Sequence, residues 1–134
     1  MGYPKAIGAV SVINHYYGRD DIRLGAFKGD FGDYIGGNYI DDLVDNFDSP
    51  VKHYDQVEDA VSVLRQTLAE AEVRVIQDSP LMFFKLSNKD HSVVIASVGF
   101  LLNIADLLRS SGDGFSEKSG YDLVRDKVIS TMIS

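Results

Sequence analysis

Carboxylates are the reactive side chains that this chain supplies in quantity: 20 Asp and Glu stand against 13 Lys and Arg, a formal net charge of −7. Asp41, Asp45 and Asp48 recur at i, i+4 and i+7, so a helix there projects all three from one face. Such a row suits recognition of Lys and Arg on a partner. Its charge density sets a limit. Three charges over about 10 Å of helix is roughly one per 5 Å, whereas duplex DNA carries one per ~1.7 Å. Imitation of a duplex would need Asp20, Asp21, Asp30, Asp33, Asp55 and Asp59 on the same side. Asp41 and Asp42 suit the positive N-terminal end of a helix, but Asp45 and Asp48 lie toward the negative end. A merely solvated face does not account for that second pair.

The stretch from Gly29 to Gly37, Gly-Asp-Phe-Gly-Asp-Tyr-Ile-Gly-Gly, has the glycines of a phosphate cradle. It lacks the lysine and hydroxyl residue of a P-loop, and its aspartates repel phosphate. Asp30-Phe31-Gly32 matches the magnesium-holding tripeptide of protein kinases. With 134 residues, and neither the glycine-rich loop nor the catalytic-loop motif, the match is chance. Tyr34 and Tyr39 beside these acids have the amphipathic composition of contact surfaces. The residues expected to meet a partner are therefore Asp30, Asp33, Tyr34, Tyr39, Asp41, Asp42, Asp45 and Asp48.

Other chemistries find no support. His15, His53 and His91 are scattered, and none has the i, i+4 spacing of a zinc helix. His53 and Asp55 are near neighbours, as are Asp90 and His91, but such pairs are common in loops. There is no Asp-x-Asp-x-Asp-Gly calcium loop. There is no cysteine and no Gly-x-Ser-x-Gly elbow, and the serines from Ser110 to Ser119 sit in a polar stretch. Paired carboxylates are so abundant that no pair stands out as acid and base. No catalytic, cofactor-binding or metal-binding residue is expected, and the chain is not expected to be an enzyme.

The elements that must position the acidic face are organised around Asp55 to Val98. Val57, Ala60, Val61, Leu64 and Leu68 draw one apolar stripe at helical period, with Asp55 as cap and Glu58 three residues on. Val73 to Gln77 turns β-branched and reads as a strand, broken by Asp78-Ser79-Pro80. Leu81 to Ser87 and Ser92 to Val98 read as a hairpin around Asn88-Lys89-Asp90-His91. Val93 to Ala96 is apolar on both faces, the pattern of a central strand.

Ahead of this block, Pro4 to Tyr17 reads as a helix with Ile7, Val10, Ile13 and Tyr17 inward and Gly18 ending it. Ile22 to Phe27 reads as a short strand and Lys28 to Gly37 as a loop. Asn38 caps a short acidic helix, Tyr39 to Phe47, with Ile40, Leu43, Val44 and Phe47 inward. Beyond the block, Gly99 to Leu108 is helical and Asp113 to Gly120 is a mobile loop. Tyr121 to Ile133 makes a last helix, with Tyr121, Val124, Val128 and Met132 on its stripe. The fold class expected is α+β: one globular domain over residues 1–134, with a small, mostly antiparallel sheet (central hairpin 81–98) packed by about five helices.

Charge placement narrows the function. From Asp20 to Asp59, eleven acids face Arg23, Lys28 and Lys52, a net of −8, while the remainder holds nine acids and ten bases. An acidic body repels phosphates, so direct nucleic-acid binding is not expected. No secretory leader or spanning helix is apparent, and with no cysteine a cytoplasmic location is expected. The reading is a small acidic protein-binding module, an inhibitor that occupies the basic surface of a nuclease or other nucleic-acid-binding enzyme. A phage anti-defence protein of anti-CRISPR type, or an immunity protein, is a concrete analogue resting on charge and size. Two alternatives are a small enzyme or ligand-binding domain with a pocket between the hairpin and the C-terminal helices, and a homo-oligomeric structural protein.

Overall fold

The computed structural model of this chain describes residues 3–30, 39–70, 93–97 and 101–133. Those residues combine five α-helices with two small sheets, each a pair of parallel strands. They fall into two compact units, Met1–Val63 and Leu64–Ser134, with the division inside one helix.

In the first unit α1 runs Ala6–Tyr16, and Gly18, at φ 66°, ends it as expected. The buried face is not the expected one. Gly8, Ala9, Ser11 and Val12 point inward, while Val10, Ile13 and Tyr17 of the anticipated stripe are exposed. Close backbone approach explains the choice. A Cβ on Gly8 would stand 2.5 Å from the carbonyl oxygen of Lys52, so only glycine admits the chain there. The Ser11 hydroxyl accepts from the Val51 amide at 3.2 Å. The small-residue face brings main chain near, which the bulkier stripe would hold away.

Strand β1 is Gly25–Ala26, the paired remnant of the longer strand expected over Ile22 to Phe27. It lies parallel to β2, Glu58–Asp59. Helix α2 is Tyr39–Asn46, close to its expected span, with Val44 buried against α1; Asn38, its expected cap, lies outside the described residues. A single-turn 3₁₀-helix covers Tyr54–Gln56, and α3 covers Ala60–Ala69. The expected helix beginning at Asp55 is therefore interrupted. Gln56 Oε1 accepts from the amides of Lys52 (2.7 Å) and His53 (2.8 Å), closing a local turn before the chain extends into β2. The cap of α3 is Asp59, whose Oδ1 accepts from Val61 (2.9 Å) and Ser62 (3.2 Å). Of the expected stripe, Ala60 and Leu68 are buried and Val57, Val61 and Leu64 half-buried.

In the second unit β3, Val93–Ser97, lies parallel to β4, Val128–Ile133. This corrects the expected antiparallel hairpin. The first arm of that hairpin, with its turn and the strand Val73 to Gln77, lies outside the described residues. A parallel pair needs a long crossover. The chain supplies it with α4, Leu102–Arg109, and α5, Gly120–Lys127. Leu107 on α4 and Leu123 on α5 are the buried anchors of that crossover. A Cβ on Gly120 would stand 1.7 Å from the Leu107 carbonyl oxygen, so α5 begins directly against the end of α4.

The last helix is shorter than expected because the residues after Lys127 pair with a strand distant in sequence. Val128, Ile129, Thr131 and Ile133 are β-branched, and the run pairs with β3 instead of extending α5, with Ile129 bulging out of the ladder between the Val128 and Ser130 pairs. Tyr121, placed inward by the helical stripe, is exposed. None of the described helices is long and apolar enough to cross a membrane.

Candidate functional site

Helix α2 carries most of the residues expected to meet a partner, and its surroundings divide them. Asp41 turns toward the start of α1. Its Oδ1 accepts from the Tyr3 hydroxyl and stands 3.3 Å from Lys5 Nζ. Lys5 Nζ also donates to both carboxylate oxygens of Asp45, at 2.9 and 3.1 Å. The hydrogen bond to Asp45, with Asp41 nearby, raises the Lys5 pKa above its ordinary value. Two of the three aligned aspartates thus hold α2 to α1. The solvent side of α2 is instead Tyr39, Asp42, Asp45 and Asn46, followed by exposed Phe47 and Asp48. Tyr39 is 76% exposed and Phe47, expected inward, is 57% exposed. The helix ends at Asn46, so Phe47 leaves the inward stripe.

The negative charge at the C-terminal end of α2 has a counterpart. Lys52 Nζ donates to the carbonyl oxygens of Val44, at 2.7 Å, and of Phe47. An ammonium there satisfies orphan carbonyls and opposes the helix dipole. That contact accounts for Asp45 and Asp48 at an end where carboxylates are otherwise disfavoured. An open depression of ≈ 440 Å³ lies here, edged by Lys5, Val44, Asp45, Asp48, Lys52 and His53. Asp30 is exposed beyond β1, and Asp33 and Tyr34 lie outside the described residues.

Two histidine–carboxylate pairs sit on the surface of the first unit. His15 Nδ1 lies 2.8 Å from Asp20 Oδ2, and His53 Nδ1 lies 2.8 Å from Asp55 Oδ1. The His53 hydrogen bond lowers the Asp55 pKa. Among the described residues no group of three His, Asp or Glu side chains converges on a point where a metal ion could sit.

Arg65 is the polar residue that sequence reasoning passed over. It lies on α3 with 2% of its surface exposed. Its Nε donates to Asp113 Oδ2 at 2.6 Å and its Nη1 to Ser110 Oγ at 2.9 Å. Its Nη2 donates to the carbonyl oxygens of Ser116 (3.1 Å) and Lys118 (2.8 Å). Asp113 Oδ1 accepts from the amides of Phe115 and Ser116, both at 3.0 Å. The guanidinium holds the Asp113 carboxyl down to about 2 from an ordinary 3.8. The stretch expected as a mobile loop is therefore wrapped around a buried cation, and its ends meet where Gly120 donates to the Ser110 carbonyl oxygen at 2.9 Å. The Arg65 bonds tie the loop to α3 and the Asp113 bonds close the loop on itself, so the cluster has the chemistry of a clasp. One signal was legible: Arg65 stands between Leu64 and Leu68 on an apolar stripe, upstream of an Asp- and Ser-rich loop.

No protein-family model matches this chain, and no curated protein and no solved structure matches it.

Proposed function

We propose that this chain is a protein-binding module whose first unit engages a basic partner through the exposed side of α2, as an inhibitor of a nucleic-acid-binding enzyme would. One observation carries the reading: the exposed Tyr39 and Phe47 rings stand on the same short helix and its end as the exposed carboxylates Asp42, Asp45 and Asp48. Aromatic anchors amid charge of one sign are the composition of interaction hot spots, where the rings supply affinity and the charges supply rate and selectivity. Charge segregation supports it. The first unit holds eleven acids and five bases, a net of −6, and the second nine and eight, a net of −1.

Asp42 and Asp48 take no part in the Tyr3 and Lys5 contacts, so reversing them leaves the attachment of α2 to α1 intact. The test is affinity capture at low and moderate salt with the native chain and with Asp42→Lys/Asp48→Lys, followed by titration of the captured protein. A basic protein held by the native chain, released by salt and lost by the variant is the expected result. Retention of the same proteins by both chains, or of none by either, rules the acidic face out as a binding surface.

A further inference from the structure

The loop that wraps Arg65 contains the chain's one Asp-Gly pair, Asp113-Gly114, and no Asn-Gly occurs. An aspartate before glycine can react with its own main chain, because glycine leaves the following amide nitrogen unshielded. Both residues are exposed, and nothing beyond its chain neighbours lies within 4 Å of the place a Gly114 Cβ would take. Space for ring closure is therefore present. The carboxyl group is not free to use it. Its Oδ2 accepts from Arg65 Nε at 2.6 Å, and its Oδ1 accepts from the Phe115 and Ser116 amides at 3.0 Å. Those bonds fix the rotation of the group and favour the carboxylate, whereas ring closure requires a protonated carboxyl that can turn.

We propose that Asp113-Gly114 is a site of aspartate isomerisation that the Arg65 clasp holds in check, and that the modification, once made, stops the clasp from refastening. The step balances with water as its one co-reactant. The Gly114 nitrogen bonds to Asp113 Cγ, the carboxyl hydroxyl leaves with the amide proton as water, and a five-membered succinimide forms. Water then adds to a ring carbonyl and the C–N bond there breaks. Opening at the original main-chain carbonyl leaves isoaspartate. The main chain now runs through Cγ, so the carboxylate that met Arg65 has become an amide, and the buried guanidinium loses its counter-charge. The site lies in the second unit and is independent of the acidic face of α2.

Ageing the full chain at pH ~5 beside a synthetic peptide of residues 110–118 tests the proposal. Trypsin, cutting after Arg109 and Lys118, releases the same segment from the protein. Its aspartate and isoaspartate forms have equal mass and separate by reverse-phase chromatography. A carboxyl held at about 2 rather than 3.8 is protonated roughly 60-fold less often at that pH. Isomerisation in the native chain should therefore run slower than in the peptide by a factor on the order of 10 or more. Arg65→Gln keeps a long polar side chain without the charge, and should raise the rate toward that of the peptide. Circular dichroism reports whether that variant keeps its fold, and the comparison of native chain with peptide needs no variant. Aged chains that carry isoaspartate should melt below fresh ones. A native rate equal to that of the peptide overturns the proposal. So does a folded Arg65→Gln that isomerises no faster than the native chain, or an isoaspartate-bearing chain with the midpoint of a fresh one.

Discussion

At the scale of the residue, Arg65 shows what a buried charge requires. Four bonds to Asp113, Ser110 and two carbonyl oxygens replace the water it gives up. Arg65→Ala leaves those acceptors without their donor, and a loss of roughly 3 kcal/mol in urea unfolding is expected. The effect of pH follows from Asp113. Its carboxyl is held at about 2 against 3.8 unperturbed, so the unfolded chain binds that proton more readily than the folded one. The stabilisation is complete above pH ~4 and lost as pH falls through ~2. Asp55 and Asp126, lowered chiefly by His53 and Lys118, add to the same acid limb. Thermal melts between those pH values should therefore fall for the native chain and fall less steeply for Asp113→Asn.

Elements here are held more by their ends than by their stripes. Helix α2 has eight residues, too few to persist on propensity. It depends on buried Val44, on Lys5 along one side and on Lys52 at its C-terminal carbonyls. Lys52→Met should cost about 1 kcal/mol, and amide exchange should quicken within Tyr39–Asn46 first. Helices α4 and α5 meet through apolar contact. Leu107 is 0% exposed, and Leu107→Ala should cost about 2–5 kcal/mol in denaturant unfolding, the range for a core leucine whose cavity does not fully collapse.

For the whole molecule the organising fact is uneven charge: nearly all of the net −7 belongs to Met1–Val63. Attraction to a basic partner should then follow the first unit and the ionic strength, with a Debye length of about 8 Å at physiological salt. The Asp42→Lys/Asp48→Lys chain should lose most of that salt dependence along with its binding. Its unfolding midpoint should stay near native, because both carboxylates are at the surface.

The amino-acid sequence alone was enough to locate α1, α2 and α4, because a 3.6-residue period and helix-ending residues are local signals. It also determined the concentration of acid between Asp20 and Asp59 and the absence of thiol chemistry. Which side of α1 is buried was not legible there. The apolar stripe Val10, Ile13 and Tyr17 lost to the small face of Gly8, Ala9 and Ser11, since main chain from Lys52 passes at a distance that no Cβ tolerates. Asp41 and Asp45 stand one turn apart on α2 as expected, but Asp48 lies beyond the helix end at Asn46, and the contacts that hold Asp41 and Asp45 come from Tyr3 and Lys5, more than thirty residues away. The end of α5 at Lys127, the parallel pairing of β3 with β4 and the burial of Arg65 were settled by tertiary structure. Each depends on partners distant in sequence: a β-branched run becomes strand when another strand offers it a ladder, and an arginine is buried when a loop supplies its acceptors.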